Sequence, residues 1–360
     1  MTHDMMPRWA PVLEEDLLVG PPRWNGSTMV ADLGLAPQHK ILQVGLVEQL
    51  VLEQINGDRT PAEITEALNG DGLAITEQQV WGVINKLAVN GIISVPFMPS
   101  GTSAGEPPAM PASADGVYVP ANFKMLNLWR FCGWLGKLPV VALVLIAGLA
   151  GAGLLAGSVP GALEAATNLE FLPFLGFFAL ALVWDLVVML MHETAHSGSF
   201  YGMSGRPARL AVARFGIIFL PNSQLPGVNL LPRWKKVLII LMGPAMALAF
   251  ALIPVAVFHF CDPGTAWHSA TAVIILVEAV IIALGLTFLP NSDATRLVET
   301  ITGVEDLHVT SFKAIGGSQK APRSLATRSR LAIYGYPGLL LLSLLAWVVA
   351  IAWAVRFMLS

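Results

Sequence analysis

The chain is short of charge. Of its 360 residues only 12% are Asp, Glu, Lys or Arg, while 55% are hydrophobic. A soluble globular domain carries about 25% charged residues, so a wholly soluble fold is excluded for most of the length. Cysteine is nearly absent. Cys132 and Cys261 are the two present, near opposite ends of different apolar stretches. That placement argues against a disulfide framework and against a cysteine-based metal site. There is no basic excess either: the net charge is −3, and no nucleic-acid partner is expected. The opening residues, MTHDMMPRWAPVLEEDL, contain no apolar h-region, so no cleavable signal peptide is expected.

What the chain does have is hydrophobic length. Five stretches reach the ~20 apolar residues needed to cross a bilayer core as a helix. They cover about 134–157, 171–195, 235–260, 268–290 and 331–357. Pro244 and Pro254 fall inside the third, which a membrane helix tolerates. Loops 157–170 and 261–267 carry no Lys or Arg, whereas the loops holding Arg206, Arg209, Arg214, Arg233, Lys235, Lys236 and later Arg296 to Arg330 are basic. Positive loops stay in the cytoplasm, which places the N-terminus inside and the C-terminus outside. The expected fold class is a multi-pass α-helical membrane protein of about five spans with a small N-terminal winged-helix-like α/β domain.

That N-terminal domain is expected over residues 1–97. TMVADLG reads as a strand, and HKILQVGLVEQLVLEQI has apolar residues at helical spacing. Thr60-Pro61-Ala62-Glu63 and Thr76-Glu77-Gln78-Gln79 each have the form of a capping box at a helix start. Asn90-Gly91 ends the last helix, and IISV follows as a short strand. Residues 98–130 form a linker, most clearly in MPSGTSAGEPPAMPASADG, which has almost nothing to bury. The membrane domain occupies 131–360.

The second apolar stretch ends VVMLMHETAHSGS. His192 and His196 are four apart, so on a helix both imidazoles project from one face and can bind one metal ion. Glu193 lies between them and can face that metal without ligating it. Zn2+ held by two histidines, a carboxylate and an open position is a hydrolytic arrangement, in which the ion lowers the pKa of a water to about 7 and a glutamate takes the proton. The bland reading is a pair of polar residues capping a membrane helix. Two observations weigh against it. Ionisable residues at membrane depth are costly and mark functional sites. A third ligand is also within reach: Asp293, in LTFLPNSDATRL, follows the fourth stretch. By the loop charges the second and fourth stretches both run from outside to inside, so Asp293 arrives at the level of His192 and His196. The expected site is therefore Zn2+ on His192, His196 and Asp293, with Glu193 as the catalytic base.

These residues resemble a known family. His192-Glu193-Thr194-Ala195-His196 at a span end, Gly243-Pro244 in the next span, and Pro290 with Asp293-Ala294-Thr295-Arg296-Leu297 are similar to the site-2 proteases, intramembrane zinc metalloproteases. The similarity covers about residues 130–340. It implies peptide-bond hydrolysis and gives Asp293 the place of the aspartate in the family's Leu-Asp-Gly motif, the third zinc ligand. Ser292 and Ala294 flank it here instead, and Asn291 lies closer to it than the family's asparagine does. The segment 210–232, apolar but broken by Pro and Gly, is a re-entrant or interfacial hairpin or else a connector. Site-2 proteases place such an element beside the active site.

The N-terminal region has its own likeness. LEQINGDRTPAEITEALN and ITEQQVWGVINKLAVNGIISV resemble the PqqD-like peptide-recognition fold over about residues 25–97. Such modules bind leader segments of ribosomally made peptides by adding them as a strand to an exposed sheet edge. A DNA-binding winged helix is the rival, but residues 1–97 hold 12 acidic side chains against 5 Lys and Arg, and phosphate binding needs a basic face.

Together these imply leader removal from a cytoplasmically delivered precursor peptide, with that peptide and the lipid bilayer as partners, in a bacterial cell membrane. Two other functions stay open: a regulatory site-2 protease cutting a transmembrane anti-sigma factor, and a non-enzymatic transporter or immunity protein. Three further ionisable groups remain. Asp185, seven residues before His192, either orients a ligand histidine or pairs with a neighbouring helix. Glu278 is expected in an interhelical hydrogen bond away from the metal. His259 and His268 are expected at the outer interface.

Overall fold

A computed structural model describes residues 10–14, 16–35, 41–94, 132–215, 218–318 and 320–359. The expected linker at 98–130 lies outside them. The chain divides into two compact units, residues 1–114 with 229–232 and residues 115–228 with 233–360.

In the first unit the central strand is β4 (Met29–Leu35). Its register with β5 (Ile41–Gly45), Val30 opposite Gly45 to Gly34 opposite Ile41, occupies one edge. The other edge takes β2 (Leu17–Val19) and β3 (Arg23–Trp24) in tandem, all antiparallel. A separate pair joins β1 (Val12–Leu13) to β6 (Ile93–Ser94). Three helices, α1 (Leu46–Gln54), α2 (Pro61–Gly70) and α3 (Glu77–Val89), close over the sheet. Ala31, Leu33, Val44, Val51, Ile64 and Ile84 are among the buried side chains of their shared core.

Both capping boxes form as expected. The Thr60 N–H donates to Glu63 at 2.8 Å, and the Thr76 N–H donates to Gln79 at 2.8 Å. Gly91, at φ +70°, supplies the left-handed residue just past α3. One expectation needs correction. The helical spacing over HKILQVGLVEQLVLEQI holds only from Leu46; Ile41–Gly45 is strand β5. Its apolar positions satisfy a period of two as well as 3.6, and pairing with β4 decides between them.

Among its described residues the second unit holds five helices long and apolar enough to cross a membrane: Leu138–Thr167, Phe171–Ser204, Arg233–Phe260, Ala266–Gly285 and Thr327–Ala352. In element terms these are α4 (Leu138–Thr167), α5 (Phe171–Ser204), α6 (Arg233–Phe250) with α7 (Leu252–Phe260), α8 (Ala266–Gly285) and α11 (Thr327–Leu359). Two short helices, α9 (Asp293–Thr302) and α10 (Leu307–Ile315), sit between α8 and α11. A hairpin of β7 (Arg209–Phe215) and β8 (Ile218–Gln224) lies between α5 and α6. The segment 210–232 is thus largely a β-hairpin rather than a plain connector. Cys132 and Cys261 are both free.

Small residues bring α4 and α6 together. A methyl group at Gly151 would overlap the Leu248 carbonyl, and one at Gly148 would fall 2.8 Å from the Ala245 carbonyl. Association in lipid lacks a hydrophobic drive between helices, so close backbone approach of this kind is how such helices adhere. Val141, Val144, Ala195, Met242 and Met246 pack around the contact.

Two span boundaries differ from expectation. The loop expected at 157–170 is helical to Thr167, with Pro160 inside α4. Ala162 and Ala166 on that last stretch are buried, which holds it as helix despite the proline. The second span does not end at His196 either; α5 continues to Ser204 and is capped by Gly205 at φ +69°. The fall in hydropathy after Ala195 marks a change of surroundings. Residues 195–200 are all buried, so this part of the helix lies in the protein interior. Ser199 and Ser204 turn their hydroxyls back onto the carbonyls of His196 and Phe200.

Candidate metal centre

The site is built where α5 meets α6 and the start of α9. His192 and His196 lie one turn apart on α5. Asp293 is the first residue of α9, whose N-cap is Ser292. The Ser292 hydroxyl accepts the Thr295 N–H at 3.2 Å and donates to the Thr287 carbonyl at 2.6 Å. The serine in place of leucine before the aspartate is therefore the cap that starts the helix. Asn291, at φ +63°, makes the tight turn into it.

The three expected ligands converge. Their donor atoms all lie within 4.8 Å of one another. His192 Nε2 stands 3.1 Å from Asp293 Oδ2, His196 Nε2 stands 3.4 Å from Asp293 Oδ1, and the two Nε2 atoms are 3.1 Å apart. A tetrahedral ion with bonds of ~2.0–2.1 Å separates its ligands by about 3.3 Å, so the donor set is spaced to hold a metal ion. The tautomer agrees. His196 Nδ1 donates to the Ile239 carbonyl at 2.7 Å, which leaves the Nε2 lone pair facing the cluster. Burial works against a charged Asp293, but when His196 and His192 are protonated their positive charge and hydrogen bonds outweigh it and hold the carboxyl well below the usual carboxylate range. Its position at a helix N-terminus favours the same charge state.

Gly243 on α6 makes room for the histidines. A methyl group there would fall onto Nε2 of both His196 and His192. Gly243→Ala is therefore expected to weaken metal binding by about 10–100-fold, the usual effect of disturbing groups that set ligand orientation. Competition with a chromophoric chelator on the full-length protein in detergent measures this. Unchanged affinity would mean that the imidazoles do not need that space.

Glu193 points into the same region and is anchored by residues the sequence did not single out. The Ser223 N–H, near the end of β8, donates to Glu193 Oε2 at 2.6 Å, and the Ser223 hydroxyl donates to the Glu193 carbonyl at 2.9 Å. The Ser197 hydroxyl meets that of Ser223 at 2.8 Å. The hairpin is thus fastened to α5 at the glutamate. Nothing in the sequence marked Ser223 apart from its lying in a segment already suspected of sitting beside the site.

A cavity of about 290 Å³ opens from the cluster. His192, Glu193, His196 and Asp293 line it, as do Asn291 and Arg296. Asp185 and Glu278 line it as well. Glu278 is outside the ligand group, as expected, but it lines the same cavity, and neither of its carboxyl oxygens closes the expected interhelical hydrogen bond. Asp185 is outside the ligand cluster. His259 lies elsewhere, bonded to the Ser158 hydroxyl at 2.9 Å, and His268 stacks on Phe258 with centroids 4.3 Å apart. The class of molecule is thus a multi-pass helical membrane protein with a two-histidine, one-aspartate group able to hold a metal. No protein-family model, curated protein or solved structure matches the chain.

Proposed function

We propose that the protein is an intramembrane zinc metalloprotease, similar to the site-2 proteases, that removes the leader from a ribosomally made precursor peptide. The observation that carries this reading is the convergence of His192, His196 and Asp293, whose donor atoms lie within 4.8 Å of one another, with Glu193 lining the same cavity. Zinc, when bound, would lower the pKa of a water molecule to about 7 and polarise the scissile carbonyl. His192, His196 and Asp293 hold the ion. Glu193, kept in place by the Ser223 N–H, accepts the proton from the attacking water and passes it to the departing amine. Two histidines, one carboxylate and an open position are a donor set in which zinc serves hydrolysis.

The N-terminal unit is the recognition module in this reading, winged-helix-like and PqqD-like. Its acidic balance argues against nucleic acid. Among the described residues β5 pairs on one side only, with β4, and an open edge of this kind can take up an extended peptide. The N-terminus faces the cytoplasm of a bacterial cell, where precursor peptides are made.

Deleting residues 1–97 tests the division of labour. KM for a leader-bearing precursor should rise by about 10²-fold while kcat at saturation stays close to its full-length value, because remote binding sets affinity without touching the transition state. A short peptide covering only the cleavage site should be cut equally by both forms. A membrane-anchored regulator cut by the truncated form as well as by the full-length enzyme, with no loss on precursors, would reassign the module.

A further inference from the structure

We infer that the Asp185–Glu278 end of the cavity is a subsite for a cationic side chain of the peptide substrate, with those two carboxyl groups as its counter-ions. The inference rests on the peptidase reading above and deepens it. Glu278, from the middle of α8, is 1% exposed, lines the cavity, and has no hydrogen bond to either carboxyl oxygen. The indole N–H of Trp184 approaches it without closing one. Asp185, from α5, is 9% exposed and lies close enough for the two carboxyls to interact electrostatically. Among the described residues no lysine or arginine forms an ion pair with either group. Arg296, the cation that lines the cavity, is three residues beyond Asp293, at the metal-ligand end.

Two acids on membrane-spanning helices, facing a cavity whose described cation, Arg296, belongs to its Asp293 end, are costly to keep. Leucine or valine would serve packing better at both positions. The cost is recovered if the counter-ion arrives with the ligand. The dimensions agree. Asp185 lies seven residues before His192, ~10 Å along the helix at 1.5 Å per residue. An extended peptide advances ~3.3–3.6 Å per residue, so a lysine or arginine within a few residues of the scissile bond spans that distance. Val188, Met189, Ile281 and Ile282 wall the interval. Such a wall accepts the methylene stem while the charged head reaches the acids.

The test uses full-length protein in detergent. Octapeptides of Leu and Ala, acetylated and amidated so that their ends carry no charge, bear one Lys or one norleucine at each position in turn. Binding is measured to the Glu193→Gln protein, and cleavage with the wild type. At one position lysine should bind about 30-fold or more tighter than norleucine, the effect of satisfying a buried charge. Adding Glu278→Gln should bring the two peptides within about two-fold, and adding Asp185→Asn should narrow the gap by itself. Equal or absent binding of the lysine and norleucine peptides at every position overturns the subsite, as does a lysine preference that survives both substitutions. Because the lysine–norleucine comparison needs no change at Glu278, misfolding of one variant does not remove the test. The two readings separate cleanly. A lysine preference in binding without cleavage by the wild type keeps the subsite and removes the peptidase. Cleavage without a lysine preference does the reverse.

Discussion

Glu193→Gln is expected to retain the metal and to lower peptide hydrolysis by roughly 10²–10⁴-fold, the range for loss of a positioned general base. Glutamine keeps the shape of the side chain, and its carbonyl oxygen can still accept the Ser223 N–H that now meets Glu193 Oε2 at 2.6 Å. The hairpin should therefore stay fastened to α5 and the ligands should stay in register. What disappears is the proton acceptor. Metal content and cleavage, measured on the same detergent preparation, give the two halves of the result. Turnover above a tenth of the wild-type rate, with metal bound, would remove Glu193 from the mechanism.

Asp293→Ala is expected to empty the site, whereas Asp185→Ala should leave it filled. The Asp293 oxygens lie 3.1 and 3.4 Å from the two Nε2 atoms, so alanine deletes one member of the three-residue group able to hold a metal and leaves two imidazoles. Asp185 lies two turns earlier on α5 and is not part of that group. Its removal can alter affinity by about 10–100-fold at most, as groups outside the coordination sphere do. Elemental analysis after dialysis against low metal distinguishes the two. Metal lost from Asp185→Ala and kept by Asp293→Ala would mean that the third ligand is misassigned.

Much of the candidate site could be read in the sequence because each part left a local mark. His192 and His196 stand at helical spacing. Asp293 follows an apolar stretch, and loop charge alone put it at the same depth as the histidines. The capping boxes at Thr60 and Thr76 were legible because a cap is made by residues three apart. What escaped depends on contacts distant in sequence. Ser223 reaches Glu193 across a hairpin, and the Ile239 carbonyl that sets the His196 tautomer belongs to another helix; a backbone acceptor has no sequence signature. Gly243 was visible as part of a motif, but its reason, space for two imidazoles, needed the packing of α5 against α6.

The boundaries that shifted did so for one physical reason. Hydropathy reports the environment of a helix and not its hydrogen bonding, so α5 runs past His196 into buried surroundings and α4 runs through Pro160. Glu278 was set apart from the site by its distance along the chain from Asp293. The helix α8 ends at Gly285, and Asp293 opens the next helix after a break that contains Asn291. The cavity then spans both groups, which no reading of one helix at a time could give.

The most direct test of the account is cleavage of a leader-bearing precursor peptide by the purified full-length protein, before and after removal of metal with a chelator and after return of zinc. The account predicts one defined cut at or near the leader junction, lost on chelation and restored by about one equivalent of zinc per chain. Cleavage that persists without metal, or a zinc-loaded protein that cuts no precursor, would contradict it.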